Sequence, residues 1–226
     1  MVRHKPKHRI SHETIYKYVW ADKRRGGNLF KQLRHHGKKY NKRGAGKAGR
    51  GCIPNRVGIE KRPIIVEDKS RVGDWEIDTI IGRKGQGAIV SMVDRASKLT
   101  QLVKVPSKHA KIVTAAVVKK LGTRKLKGAV LTITADNGKE FSYHEQIHRA
   151  LGAMFFFANP YHSWERGLNE HTNGLVRQYF PKGESLDDVA QEDLDRVEIL
   201  LNSRPRKVLK YATPIEVFNR LTMQAP

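Results

Sequence analysis

The pattern of apolar residues divides the middle of the chain into short segments typical of strands. Gly73–Ile81 is rich in β-branched and aromatic residues and is followed by the turn sequence GRKGQG. The segments GAIVSMVD and SKLTQLVKV come next, and the short connections predict an antiparallel meander. Ala129–Asp136 and Ala153–Ala158 are apolar runs too short for helices. They predict a fourth strand, buried on both faces, and a fifth.

Helical periodicity appears before, between and after these strands. In ISHETIYKYVW, Ser11 is the expected N-cap of a helix with Ile15, Tyr18 and Val19 inward. Other helices are predicted after a Ser107 cap with Val113, Ala116, Val117 and Leu121 on one side, over Tyr143–Leu151, about Trp164–Tyr179 and Val189–Asn202, and at the capping box Thr213–Glu216. Three meander strands, a helix and two strands with helices predict an α/β fold: a ribonuclease-H-like mixed five-stranded sheet with flanking helices.

Positive charge is concentrated at the start of the chain. The formal net charge is +22, and residues 1–60 hold 17 Lys or Arg against three acidic residues. We therefore expect three parts: a helical region over residues 1–25, a basic flexible linker over 26–62 and a catalytic core over 63–226. Because Lys and Arg release counterions from phosphates, the expected partner is nucleic acid.

Cysteine usage and hydropathy indicate a cytoplasmic chain. Cys52 is the only cysteine in the sequence, which excludes an intramolecular disulfide. No apolar run is long enough for a signal peptide or a membrane span, so no membrane partner is expected. Histidines spaced by four could bind a transition metal, but no Cys or carboxylate completes either set, so we interpret them as exposed or DNA-facing: His4, His8 and His12, and His144 and His148.

Three acidic residues on three predicted elements form the candidate catalytic site. Asp78 lies in the first strand, Asp136 at the carboxyl end of the fourth, and Glu170 on the helix after the fifth. Carboxylate oxygens without Cys or paired His suit Mg²⁺ or Mn²⁺, and two such ions support chemistry at phosphorus. The residues alone leave rivals open: Glu76, which shares a strand face with Asp78, and, more weakly, Glu140 and Glu165 in place of Glu170.

The helix of Glu170 has two distinct sides. At 100° per residue, the side expected to face the core carries Leu168, Leu175 and Tyr179, and the side expected to face the active site carries Arg166, Glu170, Asn173 and Arg177. Arg177 lies two turns beyond Glu170, where it could hold a DNA phosphate beside the metals. A solvated polar face is the alternative interpretation of this side.

Three motifs together resemble one family. GDWEIDTIIG, TADNGKEF and WERGLNEHTNGLVRQYFPKG are similar to the catalytic core of the DDE transposases of bacterial insertion sequences, specifically the insertion-sequence-thirty family. The similarity covers about Ser11–Phe218, and 33 residues separate Asp136 from Glu170. The resemblance implies that Asp78, Asp136 and Glu170 bind Mg²⁺ or Mn²⁺, with two ions expected, and that Arg177 is the basic residue following the glutamate.

The resemblance also implies partners and an activity. We expect DNA cleavage and strand transfer on double-stranded DNA, namely terminal inverted repeats and target DNA, by a homo-oligomer associated with the nucleoid. The family carries a fuller helix-turn-helix region before SHETIY, so residues 1–25 are expected to be a remnant of it. The expected DNA contacts are Arg166, Asn173, Arg177, Lys38, Lys39, Lys42 and Arg43. The alternatives are a catalytically silent truncated transposase that only binds DNA, and a ribonuclease of the same fold.

Overall fold

The computed structural model describes residues 10–33, 53–126, 128–159 and 167–223. The chain divides into two compact units, residues 1–47 and 48–226. The predicted contacts Lys38, Lys39, Lys42, Arg43 and Arg166 lie outside the described residues. In the described part of the chain, no helix is long and apolar enough to cross a membrane.

The first unit contains helix α1, His12–Arg24, and a short 3-10 helix, Leu29–Gln32. Ser11 is the N-cap as predicted, since its Oγ accepts a hydrogen bond of 3.1 Å from the Thr14 amide. Val19 is buried, but Ile15 and Tyr18 are 54% and 61% exposed, so the predicted inward face was wrong for these two. The helix packs against the Leu29–Gln32 3-10 helix, which covers one part of its surface.

The second unit is built on one mixed sheet of five strands. The strands are β1 (Asp74–Ile81), β2 (Ala88–Asp94), β3 (Thr100–Val105), β4 (Thr132–Ala135) and β5 (Met154–Phe157). Their order is β3-β2-β1-β4-β5. Antiparallel pairing joins β1, β2 and β3 into the predicted meander, whereas β4 pairs parallel to both β1 and β5. The mixed sheet predicted from the sequence is confirmed.

Six helices flank this sheet among the described residues: α2 (Ile65–Asp68), α3 (Ala110–Leu121), α4 (His144–Leu151), α5 (Gly167–Val176), α6 (Gln191–Asn202) and α7 (Pro214–Met223). The predicted capping box of α7 is present, with Thr213 and Glu216 exchanging hydrogen bonds of 2.9 and 3.3 Å. Ser107 is not the cap of α3, because that helix begins three residues later and its N-cap is His109.

The two faces of the sheet bury separate apolar cores. Trp75 and Ile77 point to the face covered by α3 and α4, where the larger cluster also includes Phe141 and Phe157. Ile80 belongs to the cluster on the opposite face, with side chains of α5 and α6. Because side chains alternate along a strand, Glu76 and Asp78 point to this second face. The acidic residues of β1 therefore face the helix that carries Glu170.

Residues 53–62, which the sequence assigned to the linker, belong to the compact second unit. Ile53 is 5% exposed and lies in the larger apolar cluster. Gly58 forms a parallel bridge with Phe157, and the Phe157 amide donates to the Val57 carbonyl at 2.9 Å. This segment thus extends the edge of the sheet beside β5.

Candidate active site

Asp78 lies within β1, and Asp136 directly follows the last residue of the neighbouring parallel strand β4. The parallel register aligns Glu76 of β1 with Thr134 of β4. Asp78 comes two residues after Glu76 within β1, and Asp136 comes two residues after Thr134, one residue beyond the end of β4. Both carboxylates therefore follow the carboxyl end of the paired ladder, the side on which α/β sheets place their ligand sites.

The Asp78 carboxylate is oriented from two directions. Its Oδ1 accepts a hydrogen bond of 2.8 Å from the Thr79 amide, and its Oδ2 accepts one of 2.9 Å from Asn173 Nδ2 on α5. The Asn173 amide is itself fixed, because Ser91 Oγ of β2 donates to its Oδ1 at 2.7 Å. Asn173, predicted as a DNA contact, thus links the Asp78 strand to the Glu170 helix.

Asp136 sits in a turn whose backbone orients its carboxylate. The Gly138 amide donates to Asp136 Oδ1 at 2.8 Å. A Cβ at Gly138 would lie 2.6 Å from the Glu140 carboxylate and 2.8 Å from Asp136 Oδ1, so these side chains would have to shift to admit a larger residue. The DNG sequence therefore places a backbone donor against the carboxylate.

The neighbouring Asn137 anchors this turn to the end of β5. Its Nδ2 donates to the Ala158 carbonyl at 2.7 Å, and its Oδ1 accepts from Arg56 Nε at 2.6 Å. Arg56 also donates to the Ala158 carbonyl at 3.1 Å. Sequence reasoning missed Arg56, because a basic residue among many Gly, Lys and Arg residues carries no signal that it pairs with a turn 81 positions away.

Helix α5 presents Glu170 to solvent. Its buried residues are Asn169, Thr172, Leu175 and Val176. Leu175 is in the core as predicted, but Tyr179 is 42% exposed and lies beyond the end of the helix, so its predicted core position was wrong. The helix ends at Val176, which removes the regular spacing on which that prediction rested. Glu170 lies one turn before Asn173 and therefore on the side that faces Asp78.

Arg177 is bound to backbone carbonyls of its own unit. It donates to the Ile81 carbonyl at 2.7 Å and, more weakly, to those of Phe180 and Pro181 at 3.4 Å each. Desolvation lowers the pKa of its guanidinium. These contacts tie the end of β1 to the turn after α5. The DNA contact expected of Arg177 stays a prediction.

Two of the rival carboxylates, Glu76 and Glu140, are hydrogen-bonded to neighbouring side chains. Glu76 is 2% exposed and accepts hydrogen bonds from Arg95 and from the Asn169 amide. Glu140 Oε1 accepts from Thr79 Oγ at 2.8 Å, on the sheet face opposite Asp78. Glu165 lies outside the described residues.

Histidine does not form a metal site in the described part of the chain. His144 is 4% exposed, contradicting the expected exposure, and its ring lies 5.0 Å from that of Phe157. His148 Nδ1 is 2.8 Å from the Ala153 carbonyl oxygen. His12 is exposed, while His4 and His8 lie outside the described residues.

A metal would need the acidic residues to act together. Within the described ranges, no group of three or more His, Cys, Asp or Glu side chains stands close enough to hold an ion. Asp78, Asp136 and Glu170 nevertheless supply hard oxygen donors, which are the ligands that Mg²⁺ and Mn²⁺ prefer. The donor chemistry fits such ions, although the three carboxylates are not gathered into one ligand group.

A cleft of about 650 Å³ opens beside Asp136. Its walls are the β1–β2 turn, the loop before α3 and the turn after β4, including Gly87, Lys108, His109, Asp136 and Lys139. The cleft therefore combines the carboxylates of Asp136 and Glu140 with cationic side chains beyond the carboxyl end of β4, an arrangement suited to a phosphate group next to a metal.

Three known proteins similar in sequence are transposases. The transposase for insertion sequence element IS4351 of Bacteroides fragilis is 52% identical over 215 residues, covering 95% of this chain and 65% of that protein. The transposase for IS1086 of Cupriavidus metallidurans is 39% identical, covering 92% and 62%. Transposase InsI for IS30A of Escherichia coli K12 is 36% identical, covering 94% and 56%. The chain thus spans under two thirds of each of these curated relatives. No family model matches.

Solved structures with the same fold include retroviral integrases. The catalytic core domain of BIV integrase matches with a TM-score of 0.52 and 21% identity, covering 68% of this chain and 97% of that one. A simian T-cell lymphotropic virus intasome, solved with a PP2A regulatory subunit, matches with a TM-score of 0.53 and 15% identity, covering 66% and 55%. At these identities the likeness shows the fold alone, and it confirms the predicted ribonuclease-H-like architecture.

Proposed function

The chain belongs to the family of insertion-sequence transposases that includes those of IS4351, IS1086 and IS30A, and on this premise we propose that it cleaves DNA at the ends of an insertion sequence and transfers those ends to target DNA. These relatives confirm the resemblance drawn from the three sequence motifs. The observation that carries the proposal is that Asp78 and Asp136 each follow the paired part of the parallel β1–β4 ladder by two residues, and that Asp78 is bonded to Asn173 on the helix of Glu170.

We propose that Asp78 and Asp136 hold two Mg²⁺ or Mn²⁺ ions and that Glu170 completes their ligands. When bound, such ions activate a water or a 3′-hydroxyl and stabilise the leaving oxygen at phosphorus. Asn173 keeps the Asp78 carboxylate turned toward α5, and the Gly138 amide fixes that of Asp136. Since Glu170 is exposed, DNA and metal together are proposed to bring it into the ligand group.

We propose that double-stranded DNA lies across the cleft beside Asp136. Lys108 and Lys139 line this cleft and can neutralise phosphates there. Further contacts are proposed for Arg166, Asn173 and Arg177, and for Lys38, Lys39, Lys42 and Arg43. Transposition joins two ends, so we propose a homo-oligomer on DNA. No covalent bond between protein and DNA is part of the reaction, since water or a DNA hydroxyl is the attacking group.

The proposal is tested by incubating the protein with labelled duplexes that carry the terminal repeats, with Mg²⁺ or Mn²⁺. We expect metal-dependent nicking that Asp136→Asn abolishes, while binding to the duplex is retained, because the substitution removes a charge from the carboxylate but keeps its shape. Unchanged nicking in Asp136→Asn would exclude Asp136 as a ligand. Salt-sensitive binding with no nicking by the unmodified protein would instead indicate a catalytically silent DNA-binding protein.

A further inference from the structure

A network of charged residues, buried apart from the largely exposed Glu67, contacts strands β1 and β4 and helix α5. At its centre is the ion pair of Glu76 and Arg95, whose side chains are 3% and 4% exposed and lie 2.8 Å apart. Arg95 also donates to Glu67 Oε2 at 2.9 Å. Glu67 also pairs with Arg62, whose Nη1 donates to Thr134 Oγ1 of β4 at 2.8 Å. The network thus reaches β4 two residues before Asp136.

The same network reaches helix α5 through its backbone. Glu76 Oε2 accepts a hydrogen bond of 3.2 Å from the Asn169 amide, the third residue of that helix. Amides in the first turn of a helix lack partners within the helix, and negative charge is favoured there by the helix dipole. Glu76 therefore caps α5 from the neighbouring strand. The residue that follows Asn169 is Glu170.

We propose that Glu76 is a positioning residue for the reaction. Held by Arg95, it fixes the first turn of α5 against β1 and thereby sets where Glu170 stands relative to Asp78, two residues along the strand from Glu76. The inference rests on the proposed function only for the identity of the reaction. That Glu76, held by Arg95, fixes the start of α5 does not depend on that function.

A neighbouring carboxylate offers a matched control. Asp74 also lies on β1, is 1% exposed, and is paired with Arg71 at 3.0 Å. It accepts a hydrogen bond of 2.8 Å from Thr132 Oγ1, so it too joins β1 to β4. None of its contacts in the described part of the chain involves α5. Substitution at Asp74 therefore tests the loss of a buried charge without the loss of the cap.

The experiment compares Glu76→Gln with Asp74→Asn in the full chain. We expect Glu76→Gln to lower the rate of nicking by about tenfold to a hundredfold and to weaken Mn²⁺ binding, as is usual when a group that orients metal ligands is lost. Duplex affinity should stay unchanged. Asp74→Asn should lower stability to unfolding by urea yet leave the nicking rate and Mn²⁺ affinity near those of the unmodified protein. Equal losses of rate in the two variants would overturn the proposal.

Hydrogen exchange supplies a readout that needs no activity. Amides at the start of α5 should exchange faster in Glu76→Gln and unchanged in Asp74→Asn, because the cap is lost in the first variant only. If Glu76→Gln does not fold, Arg95→Lys takes its place, since it keeps the charge of the pair but loses the planar fork of the guanidinium. Faster exchange is again expected. Protection of α5 equal to that of the unmodified protein would refute the cap, whether or not the protein nicks DNA.

Discussion

Lys98 gives the protein a specific dependence on pH. Burial, with a smaller effect of Lys69, lowers its pKa to about 8, while the unfolded chain keeps the ordinary value of 10.5. Between these values the unfolded chain binds more protons, so the free energy of unfolding rises with pH by at most about 1.4 kcal/mol per unit. Below pH 8 both forms are protonated and the cost of burying the charge is constant.

We expect Lys98→Met to be more stable than the unmodified protein at pH 7, by a margin that shrinks as pH rises from 8 to about 10.5. Urea unfolding at each pH measures the margin. Lys98→Arg is the control, because Arg stays charged over this range. As pH rises, the free energy of unfolding of the unmodified protein should increase relative to both variants by the same amount. If the free energy of unfolding changed with pH in the same way for the unmodified protein and Lys98→Met, the lowered pKa of Lys98 would be contradicted.

Single residues could be assigned from the sequence where local chemistry decides their place. Ser11 and the Thr213 capping box were identified because a cap interacts with amides three residues away. The roles of Arg56 and Arg95 were not identified, since each donates hydrogen bonds to a residue that is close only in the folded chain. Asn173 was placed on the correct side of its helix, but its bond to Asp78 could not be read from spacing.

Residues 53–62, which lie at the edge of the sheet beside β5, contribute more to the fold than their composition indicates. Ile53 is 5% exposed within the larger core, so Ile53→Ala should lower the free energy of unfolding by about 2–4 kcal/mol. Ile64→Ala is the matched change at a residue 84% exposed and should cost less than about 0.5 kcal/mol. Urea unfolding compares the two. Equal small losses would mean that residues 53–62 act as a linker after all.

The strands could be predicted because each one has a self-contained apolar pattern. The four buried residues of β4 were enough to predict a strand, because the apolar run is too short for a helix. The segment over residues 53–62 has no such pattern, since it contributes Ile53 to the core and otherwise pairs through its backbone beside β5. Backbone pairing with a partner about 100 residues away depends on the assembled sheet, and no local sequence signal reports it.

The uneven charge of the whole molecule predicts how DNA binding is divided between its parts. Residues 1–60 carry a net +14, while the remaining 166 residues carry +8 and the proposed catalytic carboxylates. Non-specific affinity for DNA follows the number of phosphates neutralised, so most of the salt dependence should come from residues 1–60. Catalysis should depend on the second unit.

Replacing Lys38, Lys39, Lys42 and Arg43 together by Ala should therefore reduce the slope of log affinity against log salt by roughly 0.9 for each phosphate that is no longer neutralised, or about 3–4 in all. Fluorescence anisotropy with a labelled duplex, between about 50 and 200 mM salt, measures this slope. Asp136→Asn is the control and should leave the slope unchanged while abolishing nicking. An unchanged slope in the fourfold variant would indicate that DNA binds mainly to the second unit, where Lys108 and Lys139 line the cleft beside Asp136. Nicking by the fourfold variant at low salt would then separate binding by the basic residues from chemistry at the carboxylates.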